Sequence, residues 1–199
     1  MQIKIEVTPV LRGVVYEPKI VQVTQPVEDT YGFAEMKVVA FPDLYAGKMV
    51  AALDRQHPRD LFDIDGLLQN EGITDELRAA FIIYLISHQR PTHEVLSPNH
   101  KDISEEFMRG FVGMTDEPVD LGMLIDAREK LVDCTLGNMP MQHKDFLVLF
   151  TQGEPDWKLL GLDGVEHLPA VRWKQINLDK VDAAKRRELI EELCGVLGK

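Results

Sequence analysis

The stretch Asp43–Ile64, DLYAGKMVAALDRQHPRDLFDI, decides how this chain is read. Leu44, Tyr45, Met49, Val50 and Leu53 recur at helical spacing, and Asp43 is a natural N-cap for the helix they define. Pro58 interrupts that helix, because the residue before a proline resists the α region. A second helix, with Pro58 in its first turn, carries Leu61, Phe62, Ile64, Leu67 and Leu68. The polar residues of the stretch also have a phase. Lys48 and Arg55 are seven apart and share one helix face, while Asp60 and Asp63 are three apart and share a face of the next. With Arg59, these are cations and carboxylates at a helix–helix junction, able to grip a triphosphate and to fix the gripping side chains. A plainer reading is equally physical. Asp60 and Asp63 complement the dipole of a first helical turn, worth about 0.3–1 kcal/mol, and Arg59 pairs with a neighbouring carboxylate. Spacing alone leaves both readings open.

Outward from that stretch, the chain divides at about residue 41. Upstream, Ile3, Ile5 and Val7 alternate with Lys4, Glu6 and Thr8, the period of a half-buried strand. Val14–Tyr16, Ile20–Val23 and Met36–Ala40 read as further short strands, punctuated by proline and glycine. Downstream, Gly72 ends the second helix and Thr74 caps a third that runs to about His88. Later helices are expected at Ser104–Val112, Val119–Leu136, Met141–Thr151 and Asp179–Leu197, with Gly153–Asn177 irregular apart from a short turn near Trp157. The fold class is therefore α+β: residues 1–41 a partial sheet, residues 42–199 a helical domain.

The chain has 199 residues, 45% of them hydrophobic and 28% charged, which is ordinary for a globular protein. The longest strongly apolar run, Ala79–Ile86, falls far short of the roughly 20 residues that span a bilayer. With no basic-then-apolar leader and only two cysteines, Cys134 and Cys194, a cytoplasmic protein with free, buried thiols and no membrane partner is expected. The net charge of −11 argues against a general polyanion binder. Its distribution says more, because residues 1–60 hold seven Lys/Arg against eight Asp/Glu and the remainder fifteen against twenty-five. A site for a phosphate-bearing ligand belongs in the first third.

Other candidates are weaker. Glu6 on a strand's polar face is ordinarily just solvated, although a two-metal site also takes such a carboxylate. No two of the histidines fall at i,i+3 or i,i+4, so a zinc site is not expected. Trp173, between Arg172 and Lys174, has the surroundings of a base-stacking platform, but a packing role is the favoured reading. No nucleophile elbow, phosphate-binding glycine loop or dinucleotide fingerprint occurs.

The runs IKIEVTPVLRG (Ile3–Gly13) and Asp43–Ile64 resemble the AbiEii/AbiGii toxin family of DNA polymerase β-like nucleotidyltransferases, and LPAVRWKQINL (Leu168–Leu178) resembles that family's C-terminal end. The resemblance implies nucleotide transfer from a nucleoside triphosphate, with Mg²⁺, to an acceptor that in some relatives is tRNA. It also implies a toxin paired with an antitoxin encoded beside it. The family's strand motif of a lysine and an acid matches Lys4 and Glu6, with Glu6 as a metal carboxylate or the base for the acceptor hydroxyl. Lys48 and Arg55 match its helix motif and would contact the triphosphate. Arg59, Asp60 and Asp63 match Arg-Asp-x-x-Asp, whose acids orient those cations or assist acceptor activation. The family's Gly-Ser turn with its Asp-x-Asp metal pair has no match here, since Asp63-Ile64-Asp65 lies on a helix where alternate residues diverge. The expectation is thus the remnant of a nucleotidyltransferase sheet followed by a helical domain: a truncated toxin, inactive by itself. The alternative is a non-catalytic binding module. An uncovered strand Ile3–Val7 would further invite a homodimer.

Overall fold

The computed structural model describes residues 12–199, so the expected strand Ile3–Val7, with Lys4, Glu6 and the dimer contact drawn from it, lies outside the described residues. The described sheet has two antiparallel strands, β1 (Lys19–Gln22) and β2 (Glu35–Val38), in the register Lys19↔Val38 to Gln22↔Glu35. They are joined by a short helix, α1 (Gln25–Tyr31), with Pro26 in its first turn. Nearly every strand residue is exposed, so this hairpin contributes little to the core.

The core belongs to helices. They are α2 (Phe41–Arg55), α3 (Pro58–Asn70), α4 (Asp75–Ile86), α5 (Thr92–Leu96), α6 (Ser104–Gly110), α7 (Leu121–Val132), α8 (Met141–Gln152), α9 (Pro169–Asp179) and α10 (Ala183–Leu197). Helix α4 is the centre. Leu77, Ala79, Ala80, Phe81, Ile82, Ile83, Leu85 and Ile86 are all buried, so it is apolar nearly all round, as a helix enclosed by others must be. Helix α2 lays Ala46, Met49, Val50, Ala52 and Leu53 against it, and α3, packed on α2, adds Leu61, Ile64 and Leu67 to the core. Helix α7 covers α3, and α8 and α10 pack together. Thr74 caps α4 as expected, its hydroxyl accepting from the Leu77 amide at 3.2 Å. Among the described residues no helix is long and apolar enough to cross a membrane. Cys134 and Cys194 are free and half-buried, not fully buried.

Several expectations are corrected. Val14–Tyr16 is not a strand, because the Val15 and Tyr16 amides donate to the Asp43 carboxylate at 2.7 and 2.9 Å instead of to a neighbouring strand. Asp43 is accordingly not an N-cap. Helix α2 starts at Phe41, and Asp43 lies buried within its first turn. Gly153–Asn177 holds the expected short turn, at Trp157–Leu160, but the rest is not irregular, since a second 3₁₀ turn at Val165–His167 and then α9 follow. The final helix begins at Ala183, where the Asp182 side chain accepts from the Lys185 amide at 2.9 Å. Helix α7 ends at Val132 and continues as a π-helical turn, Asp133–Gly137.

Candidate functional site

Helix α2 ends at Gln56, whose φ of 55° makes it the one described non-glycine residue in the left-handed region. That conformation reverses the chain at once, and His57 caps α3 by accepting from the Arg59 amide at 3.2 Å. The turn is locked from inside. Gln56 donates to the Asn99 carbonyl at 2.8 Å, and its Oε1 accepts from the Lys101 amide at 3.0 Å and from Arg128 Nη1 at 3.1 Å. Arg128, itself buried, also donates to the Lys101 carbonyl at 3.0 Å. The Lys101 ammonium reaches back to the last carbonyls of α2, those of Asp54 and Arg55. Gln56, Lys101 and Arg128 were not singled out in the sequence. A glutamine at the break between two helical patterns was the only hint of them.

On this turn the motif side chains pair across the junction. Lys48 of α2 holds Asp63 of α3, and Arg55 Nη2 donates to Asp60 Oδ1 at 2.9 Å. The two faces inferred from helical phase thus meet, with one cation opposite one acid in each case. Lys48 also stands 5.9 Å from the centroid of the Tyr45 ring. The side chains of Lys48 and Asp63 are 31% and 37% exposed, so this pair is reachable from solvent. Arg55 is 63% exposed against 15% for Asp60, which leaves most of its guanidinium fork open. Arg59 turns away, donating to the Gly110 carbonyl at 3.2 Å and not to a carboxylate. A recess of about 360 Å³ opens beside the Arg55–Asp60 pair, with Arg59, Lys101, Asp102 and Glu106 on its walls. Asp60 Oδ2 is buried there without a hydrogen-bond partner. An orphaned buried oxygen costs about 1–3 kcal/mol, which a ligand donor would relieve.

The donor chemistry bears on a metal. Nucleotidyltransferases of this kind generally use a divalent cation. Among the described residues, however, no group of three or more His, Cys, Asp or Glu side chains is placed to hold one. Asp63 is engaged by Lys48, Asp60 by Arg55, and Asp65 accepts from Gln69 at 2.6 Å, so the Asp63-Ile64-Asp65 letters do not converge. The described residues therefore do not fit a Mg²⁺ site. What they can do is present preoriented cations to an anion.

No curated protein and no solved structure matches the chain. A family profile does match, over residues 1–176, so that only the last turn of α9 and all of α10 fall beyond it. Its description is the nucleotidyl transferase AbiEii toxin of a type IV toxin–antitoxin system. The matched span includes the α2–α3 junction with both of its ion pairs, and the chain belongs to this family of nucleotidyltransferase toxins.

Proposed function

We propose that this chain is a polymerase β-like nucleotidyltransferase toxin of the cytoplasm, opposed by a cognate antitoxin, whose helical domain (42–199) grips the phosphates of a nucleoside triphosphate at the α2–α3 junction. In a catalytically complete relative the nucleotide would pass to an acceptor, for which tRNA is the candidate; this chain, in which no Gly-Ser turn with an Asp-x-Asp metal pair occurs, does not catalyse that transfer by itself. Lys48 and Arg55 bind the phosphates, Asp63 and Asp60 aim them, and Arg59 lines the neighbouring recess. Lys4 and Glu6 complete the proposed site from the sequence side.

The observation that carries this reading is the pairing of Lys48 with Asp63 and of Arg55 with Asp60 across one junction. Positioning and electrostatic stabilisation are most of what phosphoryl chemistry asks of a protein. A lysine or arginine held by a carboxylate has lost its rotamer freedom before the substrate arrives. Part-exposed ion pairs stabilise a fold by only about 0–1 kcal/mol each, so stability alone gives little reason for two of them on one short hairpin.

The test is calorimetric titration of a nucleoside triphosphate into the chain and into Lys48→Met, Arg55→Ala and Asp63→Asn variants. Each cation removed should weaken binding about tenfold or more, and Asp63→Asn by less. Unchanged affinity in both cation variants would refute the phosphate-binding role. Incubation with labelled triphosphate, Mg²⁺ and total tRNA then asks whether the chain transfers nucleotide by itself. No label should transfer; label on RNA would overturn the inactivity, and label on protein alone would overturn the acceptor as well.

A further inference from the structure

A cavity of about 290 Å³ lies among α5, α8, α9 and α10, at the lower end of the roughly 300–1,000 Å³ typical of small-molecule sites. Its floor is apolar, formed by Phe150, Leu178, Leu189 and Leu193, and Trp173 stands on its wall, 52% exposed. The packing role expected of Trp173 falls instead to Trp157, whose ring centroid lies 5.2 and 6.1 Å from those of Phe146 and Phe150. A half-exposed indole over an apolar floor offers a flat face to a ligand ring.

The charge on the wall selects the head group. Lys174 is the one permanently charged residue that lines the cavity. Its Nζ donates to the His88 carbonyl at 2.6 Å and to the Arg90 carbonyl at 3.5 Å, and among the described residues no carboxylate pairs with it. An ammonium has three donors, so one remains for a ligand. Charges drawn out of water are ordinarily paired, whereas this one has only neutral partners. Burial accordingly pushes the ammonium down from its ordinary 10.5, with no carboxylate opposing the shift. The nearby acids are already engaged. In an adjoining recess that shares Pro91, His93 and Leu189 with the cavity, Glu94 pairs with Arg90 at 2.9 Å and Glu188 with Lys185 at 2.9 Å. Glu192 pairs with His93 at 3.1 Å and lies in the field of Lys185 as well. None of these three carboxylates lines the cavity.

We propose that this cavity binds a small aromatic carboxylate, with its ring against the Trp173 indole and the apolar floor and its carboxylate on the Lys174 ammonium. A neutral aromatic would leave the ammonium without a counter-charge, and a cationic one would set like charge beside it. An anion without an apolar body would leave the floor wet. The aromatic acid alone satisfies both halves of the site. The cavity shares no lining residue with the recess at the α2–α3 junction, and the inference does not depend on the nucleotidyl-transfer reading.

Calorimetry on the intact chain at pH 7.5 tests it with 2-naphthylacetate, its amide 2-naphthylacetamide and the cationic 2-(2-naphthyl)ethylamine. The acid should bind saturably, about tenfold tighter than the amide, as a charge-assisted contact predicts, and the amine should not bind detectably. Inorganic phosphate should not compete with the acid. Lys174→Met should bring the acid to the affinity of the amide and leave the amide unchanged. Trp173→Ala should weaken both, and Leu189→Trp, which fills the cavity, should abolish both. Each variant's thermal melt establishes that it is folded, and the ratio of acid to amide on the parent chain needs no variant at all. Equal binding of acid and amide, an unchanged acid affinity in folded Lys174→Met, displacement of the acid by phosphate, or no saturable binding of 2-naphthylacetate would each overturn the proposal.

Discussion

Replacing Asp43 should do more damage than any change to the four paired motif charges. Its carboxylate is 2% exposed and accepts from the Val15 amide at 2.7 Å, the Tyr16 amide at 2.9 Å and the Tyr84 hydroxyl at 3.0 Å. Burial and the Asp43 charge both push the Tyr84 hydroxyl far above its ordinary range, so it stays a donor at any working pH. Hydrogen bonds to a charged group contribute about 1.5–3 kcal/mol each. Val15 and Tyr16 are half-buried, so water replaces part of what they lose. An Asp43→Ala cost of about 3–5 kcal/mol follows, a large share of the ~5–15 kcal/mol that holds a domain folded. Asp43→Asn keeps one acceptor oxygen but turns an amide donor toward the Tyr16 amide, for a cost of about 2 kcal/mol. Urea unfolding at pH 7 measures both, and with m near 2 kcal/mol/M the alanine midpoint should fall by about 2 M. Residues 12–16 are otherwise tied by the Ala170 amide on the Arg12 carbonyl at 3.2 Å, by the Tyr16 hydroxyl on the Glu76 carbonyl at 3.1 Å and by Gly13. At Gly13, φ is +87° and an added Cβ would stand 2.8 Å from Leu168. Trypsin should therefore cut after Arg12 much faster in Asp43→Ala. An alanine variant within about 0.5 kcal/mol of the parent, with Arg12 still protected, would refute the view that this carboxylate anchors the entering chain.

Two further outcomes follow from buried polar groups. Arg128→Met and Gln56→Ala should each cost about 2 kcal/mol and the double variant clearly less than both together, because either change strips donors or acceptors from one shared network; additive losses in a urea double-mutant cycle would contradict that coupling. Burial pushes the His88 and His143 imidazoles down from 6.5, with Lys174 and Arg78 respectively among the lesser causes. The unfolded chain then binds protons that the folded one refuses, so stability is full above 6.5 and is lost as pH falls from there through the lower folded values. The melting temperature should drop on acidification from pH 7 to about 5, and His88→Gln with His143→Gln should flatten that slope; an equally steep slope in the double variant would show that other groups set it.

How much of this was legible depends on how strong a pattern each segment carries. The α2–α3 hairpin was readable because apolar stripes, Pro58 and Gly72 agree on where each helix begins and ends. Helix α9 was not, because between Leu168 and Asp179 only Val171 and Leu178 are buried, one residue per two turns, too sparse to show a period. The charged residues were grouped correctly by face, yet phase cannot choose partners across a junction. Arg59 precedes Asp60 in sequence but points to the end of α6, a direction fixed by where residues 104–110 pack. Asp43 illustrates a different failure. An acid just after a proline reads as a cap, and nothing local says that a segment almost thirty residues upstream will claim both of its oxygens.

The proposed role of these charges draws support from where the stability of the hairpin resides. Met49, Leu53, Leu61 and Ile64 are wholly buried along the α2–α3 seam, and burying each such side chain stabilises by roughly 1.5–3 kcal/mol. Against that, the Lys48–Asp63 and Arg55–Asp60 pairs, each partly open to solvent, contribute about 0–1 kcal/mol each. The helices would stay packed without them. A set of charges that the fold does not need, fixed in place by a turn that the fold locks with a buried arginine, is disposed to act on something outside the fold. The orphaned oxygen of Asp60 points the same way, since it charges the native state for a hydrogen bond that only an incoming donor would complete.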